Sequence, residues 1–274
     1  MPQEKLRLKD ANFFKKENTQ KVVLIGDSHA EALEFHLNEE IKKNDLSLYS
    51  FSTALYLDNF TFSNKKTGKI LKDYSLVNKE LDKFIRENSN LVVIMHYRWS
   101  IRFLEKYFDN GEGFKEQSKT LYRFILEPTG IKTTSREERE KFIIEALKLK
   151  IENILNEGHK LILVYPVPEM GFHPIRLLYR KYLFEKNFSS NSLPILSGSY
   201  DVFKKRNELI FETLDNIQNP NIYRVYPHNL FCNTIVKDRC VANNEENIFY
   251  FDDDHLSSHG SKLVVEKIMN KINP

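Results

Sequence analysis

The stretch VVLIGDSHAEAL, residues 22–33, decides how this chain is read. Val22 to Ile25 are consecutive apolar residues, the pattern of a strand covered on both faces. Gly26-Asp27-Ser28-His29 breaks the run. Apolar residues at Ala32, Leu33, Leu37 and Ile41 then recur near helical spacing. A Gly-Asp-Ser-His step at a buried strand's end either just turns the chain or places chemistry at Ser28. The far stretch FYFDDDHLSSHG, residues 249–260, bears on which.

Outward from that step, strands and helices alternate. Lys21 to Ile25 reads as a strand, Ser28 to Lys43 as a helix and Leu46 to Phe51 as a second strand. Residues 52–75 read as a long polar and aromatic connection. Leu76 to Asn88 is helical, Leu91 to Met95 is a clear buried strand, and a helical stretch around Trp99–Phe108 precedes a loop with Gly111 and Gly113. Residues 133–157 read as a long helix, with Thr134 or Ser135 as cap, Glu137 and Glu138 in the first turn and Gly158 at the stop. KLILVYPVPEMG is an apolar strand ending in prolines. Residues 174–187 and 200–216 read as helices, NIYRVYP and NIFYF as strands, and Ser258 to Asn270 as a closing helix with Leu263, Val264 and Ile268 inward. This order predicts an α/β fold: a three-layer α/β/α sandwich with a mostly parallel central sheet and ligands at the strand C-termini. Residues 1–20 read as a lead-in or linker and 21–274 as one domain.

Composition narrows the partners. Hydrophobic residues make up 41% of the chain, enough for a sizeable core. The 20 Phe and 13 Tyr suit a dense core or a sugar-binding surface, the core being the commoner use. A net charge of +3 with both signs interspersed argues against nucleic acid. No apolar run approaches the ~18 residues of a membrane span. The first twenty residues lack the apolar core of a secretory signal, which fits a cytoplasmic chain or equally a linker at the edge of a longer protein. Cys232 and Cys240 are either a small disulfide or two separate thiols, and their spacing alone leaves both open.

A serine opening a helix has its own N–H free to stabilise an oxyanion, with the hydroxyl at the same place. It needs a base, and the base needs an orienting acid. Asp252 and His255, three apart in a turn, let a carboxylate fold back onto an imidazole N–H. An acidic turn with Ser257 or Ser258 as helix cap accounts for the serines but not for the histidine. His255 and His259 have chelate spacing, but a helix starting at Ser257 or Ser258 leaves His255 outside it, so no metal is expected.

GDSH near the start, with Asp-x-x-His before the last helix, resembles the SGNH/GDSL hydrolase superfamily. The chain is similar above all to the SGNH domains of bacterial surface-glycan O-acetyltransferases fused to acyltransferase family 3 domains. GDSHAEAL, VVIMHYRWS, VYPVPEMG and LFCNTIVKDRC with its DDDHLSSHGS tail carry the likeness. The resemblance implies Ser28 as nucleophile, His255 as base and Asp252 as orienting acid. It implies a Cys232–Cys240 disulfide, a periplasmic or extracytoplasmic location, a glycan acceptor and a membrane acyltransferase partner. It implies no bound cofactor, the acetyl group being derived from acetyl-CoA and handed over by that partner. Oxyanion and substrate candidates are Gly26, Asp27, His29, Arg98 and Trp99. Two departures stand out. Ser50 to Ala54 holds no glycine donor, and His96-Tyr97-Arg98-Trp99 replaces the expected Gly-x-Asn-Asp. Arg98 either supplies a cationic donor or forms a structural salt bridge, and each missing donor raises the barrier by ~2.7–4 kcal/mol. His29 is a substrate contact or a surface residue, Trp99 a sugar platform or core, and Asp27 a hydrogen-bonding turn residue. Glu169 is a pocket-rim or solvated acid, while Asp253 and Asp254 read as solvent-facing or turn residues. The expected activity is O-acetyl transfer to a glycan hydroxyl, the alternatives being an esterase on an acylated glycan and a non-catalytic glycan-binding module.

Overall fold

The computed structural model describes residues 14–52, 55, 57, 60–64, 66–71, 74–116, 122–126, 135–184 and 192–272. The elements run β1 (Lys21–Gly26), α1 (Ser28–Lys43), β2 (Ser47–Ser52), β3 (Phe60–Asn64), β4 (Ile70–Leu71), α2 (Tyr74–Glu87), β5 (Val92–His96), α3 (Trp99–Leu104) and β6 (Tyr122–Leu126). They continue with α4 (Arg136–Asn156), β7 (Lys160–Val164), α5 (Pro174–Phe184), β8 (Ser197–Ser199), α6 (Tyr200–Asp215), β9 (Ile222–Val225), α7 (His228–Phe231), β10 (Arg239–Val241) and α8 (Ser258–Ile272).

Five strands form a parallel sheet in the order β2-β1-β5-β7-β9. Side chains alternate across it. Val22 and Leu24 pack with Leu33, Leu37 and Ile41 of α1 and with Val264, Val265 and Ile268 of α8. Val23 and Ile25 enter the opposite core with Leu81 of α2, Leu147 and Ile151 of α4, and Leu214 of α6. Both faces of β1 are thus dry, which is why its sequence never alternates. Truncating a fully buried leucine such as Leu37 to alanine costs about 2–5 kcal/mol. The molecule is the expected three-layer α/β/α sandwich.

The strand order reverses between β1 and β5. The chain leaves β1 for one side of the sheet and reaches β5 on the other. The crevice outside such a switch point is where ligands bind in open α/β sheets. Gly26-Asp27-Ser28 and His96-Tyr97-Arg98 meet there.

Several expectations need correction. The connection over 52–75 contains β3 and β4, which join β6 in a separate antiparallel sheet of order β4-β3-β6. NIFYF is no strand of the main sheet. It makes only isolated bridges, Asn243↔Ile248 and Tyr250↔Leu256, because its backbone turns between Ala242 and Ser257. The strand opening KLILVYPVPEMG ends at Val164, before Pro166 and Pro168, which have no N–H to give a ladder. α3 stops at Leu104, followed by Glu105 at φ 49°. The cap of α4 is Ser135, in a capping box with Glu138, and Gly158 follows that helix at φ 80°. Thr134, Thr53, Ala54, residue 133 and residues 185–187 of the expected helices and loops lie outside the described residues, as do residues 1–13. In the rest of the lead-in, the Phe14 carbonyl accepts from Leu48 N–H of β2 at 2.9 Å.

Cys232 and Cys240 are joined, with an S–S distance of 2.01 Å, tying the end of α7 to β10. Among the described residues no helix is long and apolar enough to cross a membrane.

Candidate active site

The site is assembled from both ends of the chain. Gly26 ends β1 where its Cα faces the backbone of β5. A Cβ there would lie 1.9 Å from the His96 carbonyl oxygen, so the requirement is close approach rather than an unusual turn. Asp27 caps α1, its carboxylate accepting from His29 N–H at 3.1 Å. The same carboxylate accepts from Arg98 N–H at 3.1 and 3.2 Å, which pins the tip of β5 to the tip of β1. Ser28 is the first residue of α1 and is exposed.

The opposite half is the loop before α8. Asp252 accepts from the backbone N–H groups of Asp254 and His255 at 3.0 and 2.8 Å, a local turn that fixes the loop. Gly260 in the first turn of α8 performs the same service as Gly26, since a Cβ there would lie 2.2 Å from the Phe249 carbonyl oxygen. α1 and α8 share one core cluster, and His36 Nε2 meets Ser258 Oγ at 2.8 Å. That packing carries the two halves together.

Ser28 Oγ lies 2.8 Å from His255 Nε2. On the other side of the ring, Nδ1 lies 2.9 Å from Asp252 Oδ2 in a hydrogen bond. Asp254 Oδ1 stands equally near, at 2.9 Å, as an ion-pair partner. Burial works against a charged ring, but Asp252 and Asp254 outweigh it and push the His255 pKa up to about 10. Burial alone would raise the Asp252 carboxyl, and its bonds from His255 and the loop backbone hold it below the ordinary range instead. Asp254 is buried too, and His255, His29 and Arg98 hold it far below.

Behind this trio lies a charge network that the sequence did not announce. Asp254, expected to face solvent or form a turn, is buried, and its Oδ2 takes His29 Nε2 at 3.2 Å and Arg98 Nε at 2.9 Å. Glu169, expected at the rim or in solvent, is buried between Arg98, 2.8 Å from its Nε, and Arg206. Burial would raise the Glu169 carboxyl, and the two guanidiniums bring it down. Glu116 takes Arg98 Nη1 at 3.1 Å. Arg98 is therefore the salt-bridge residue. Its guanidinium is held by three carboxylates and its N–H by Asp27.

His29 is buried behind the ring of His255, with centroids 4.9 Å apart, and is neither a surface residue nor open to substrate. Trp99 is 0% exposed and donates Nε1–H to the Val164 carbonyl at 3.0 Å, so it is core and no sugar can stack on it. Asp253 holds the loop through its carbonyl, which accepts from Met170 and Gly171 N–H at 2.8 and 3.2 Å. His29, Asp254 and His255 offer ligand atoms within 4.8 Å of one another, a spacing a cation can use; the His255/His259 pair forms no such group among the described residues. Sequence reasoning missed the roles of Asp254, Arg206, Glu116 and Gly260; Asp254 and Gly260 lie in the quoted stretch around His255, while Arg206 and Glu116 had no local signal.

A parallel α/β/α sandwich with a serine at the tip of its first strand and an Asp-x-x-His loop before its last helix is the architecture of the SGNH class. The chain belongs to the SGNH domain family fused to AT3 domains, whose profile matches residues 3–270. Among solved structures it is similar to the lipopolysaccharide acetyltransferase periplasmic domain of Salmonella ser. Paratyphi A, at 17% identity and TM-score 0.59 over 94% of this chain and 85% of that one. It is also matched to an acetyl xylan esterase at 14% identity and TM-score 0.44, over 92% and 99%. At 17% identity the likeness to the first of these is one of fold. Comparison with curated protein sequences gives no match.

Proposed function

We propose that the domain is a serine-dependent O-acetyltransferase acting on a hydroxyl of a bacterial surface glycan. The observation that carries the reading is the line Ser28 Oγ–His255–Asp252, with both ring nitrogens in hydrogen-bond reach. Ser28 Oγ attacks the carbonyl carbon of the acetyl donor while His255 Nε2 takes its proton. The leaving group departs with that proton and the acetyl group remains on Ser28. An acceptor hydroxyl then gives its proton to His255, its oxygen takes the acetyl carbon, and the Ser28 hydroxyl is restored.

The fused AT3 domain typical of the family supports a membrane acyltransferase as the source of the acetyl group. The disulfide supports a periplasmic or other extracytoplasmic setting, since such bonds persist under oxidising conditions. Because Ser28 is exposed, water has access to the same acyl group, which favours esterase activity as the second reading.

An activated acetyl ester offered to the wild-type chain should be turned over through an acetyl-Ser28 adduct visible by mass spectrometry. Ser28→Ala should lose about a thousandfold or more of that rate. Equal rates in the two proteins would remove the covalent mechanism. Adding a surface glycan should divert acetyl from free acetate to sugar; acetate alone as product would make the domain an esterase.

A further inference from the structure

α5 is built the wrong way round for a helix that serves only the core. Over its eleven residues, Pro174 and Leu178 are the buried ones. At ~100° per residue, Tyr182, Ile175, Tyr179 and Leu183 fall in one continuous outward sector about 100° wide. These four side chains are between 42% and 60% exposed. Arg176 and Arg180 follow on the border of that sector, both exposed, and Phe184 beyond them is 79% exposed. No acidic residue stands on the helix.

The patch continues toward the site. Phe251, 64% exposed, precedes Asp252 and lies 6.4 Å, ring to ring, from His173 at the foot of α5. Met170 and Gly171, just before that foot, donate to the Asp253 carbonyl, so α5 and the His255 loop form one surface.

We infer that α5 is a membrane-docking helix that seats this face of the domain on an anionic bilayer surface. Four exposed apolar side chains side by side on one helix face make a contiguous patch rather than scattered exposure. Tyrosine rings belong at the headgroup level, aliphatic side chains reach the acyl boundary, and Arg176 and Arg180, on a helix that carries no acid, match lipid phosphates. Docking through α5 sets the His255 loop beside the headgroups. The inference stands apart from the acyl chemistry.

The test is sedimentation of the full chain with vesicles of phosphatidylglycerol and phosphatidylethanolamine, against vesicles of phosphatidylcholine alone. The chain should pellet with the anionic vesicles, less so as salt rises. The double variant Arg176→Gln/Arg180→Gln should partition about thirtyfold less, roughly fivefold per cation. Tyr179→Ser/Leu183→Ser should also release the chain, with its circular dichroism and thermal midpoint unchanged. Absence of wild-type binding to anionic vesicles, or equal binding by the variants, overturns the inference. So does a wild-type dimer that Tyr179→Ser/Leu183→Ser dissolves without altering vesicle partition, since the face then belongs to a second copy of the chain.

Discussion

A methyl group on Gly26 would sit 1.9 Å from the His96 carbonyl oxygen and 2.3 Å from Ala30 Cβ, and neither neighbour is a flexible side-chain end. Gly26→Ala must therefore part β1 from β5 or shift the start of α1. Urea unfolding should register a loss of about 1–3 kcal/mol, and Ser28, two residues on, should be displaced from His255 with loss of ester turnover. A variant of wild-type stability and rate would show that the approach is not needed. The two carboxylates at His255 Nδ1 have their own signature. A ring whose pKa is pushed up to about 10 has little neutral form at pH 7, and in the proposed mechanism the neutral form is the one that accepts Ser28's proton. Turnover of an activated ester should therefore climb, close to tenfold per pH unit, across the alkaline range. Asp254→Asn removes one of the charges that raise this pKa, so its rising limb should move to lower pH. A limb that stays in place would mean Asp252 sets the ring alone.

At the scale of elements, the disulfide closes a short loop between the end of α7 and β10. Chain-entropy reasoning assigns such a closure about 2–3 kcal/mol. Cys232→Ser/Cys240→Ser should lose that much stability in denaturant titration, with ester turnover largely retained at low temperature. The elements differ in how plainly the sequence declared them. β1, β5 and β7 are buried on both faces, so each reads as an uninterrupted apolar run, and α1 was legible from Ser28 to Lys43. β8 is Ser-Gly-Ser and has no apolar pattern to read. β3 and β4 are short antiparallel strands among polar residues, where a period-two signal is too brief to register. NIFYF misled for the opposite reason: it is apolar because Phe249 and Tyr250 are buried, not because they pair in a sheet.

Over the whole molecule, Ser28, Asp252 and His255 were legible because each lies in a short local motif. The network behind them was not. Glu169 reaches Arg98 across 71 positions and Arg206 across 37, and nothing local distinguishes these residues from solvated charges. Glu169→Gln leaves two guanidiniums short of a buried counter-charge. That should cost about 3–5 kcal/mol in guanidinium chloride unfolding, against less than ~0.5 kcal/mol for an exposed acid such as Glu208. A small loss would show that Glu116 and Asp254 suffice. The distance in sequence between Ser28 and His255 also has a consequence in time. Their meeting spans 227 positions, so at roughly 5–20 residues per second the ribosome finishes the serine at least ten seconds before the imidazole it meets. Under the proposed mechanism the hydroxyl stays an ordinary alcohol throughout synthesis, and the nascent polypeptide is chemically silent until its last helix has emerged and docked.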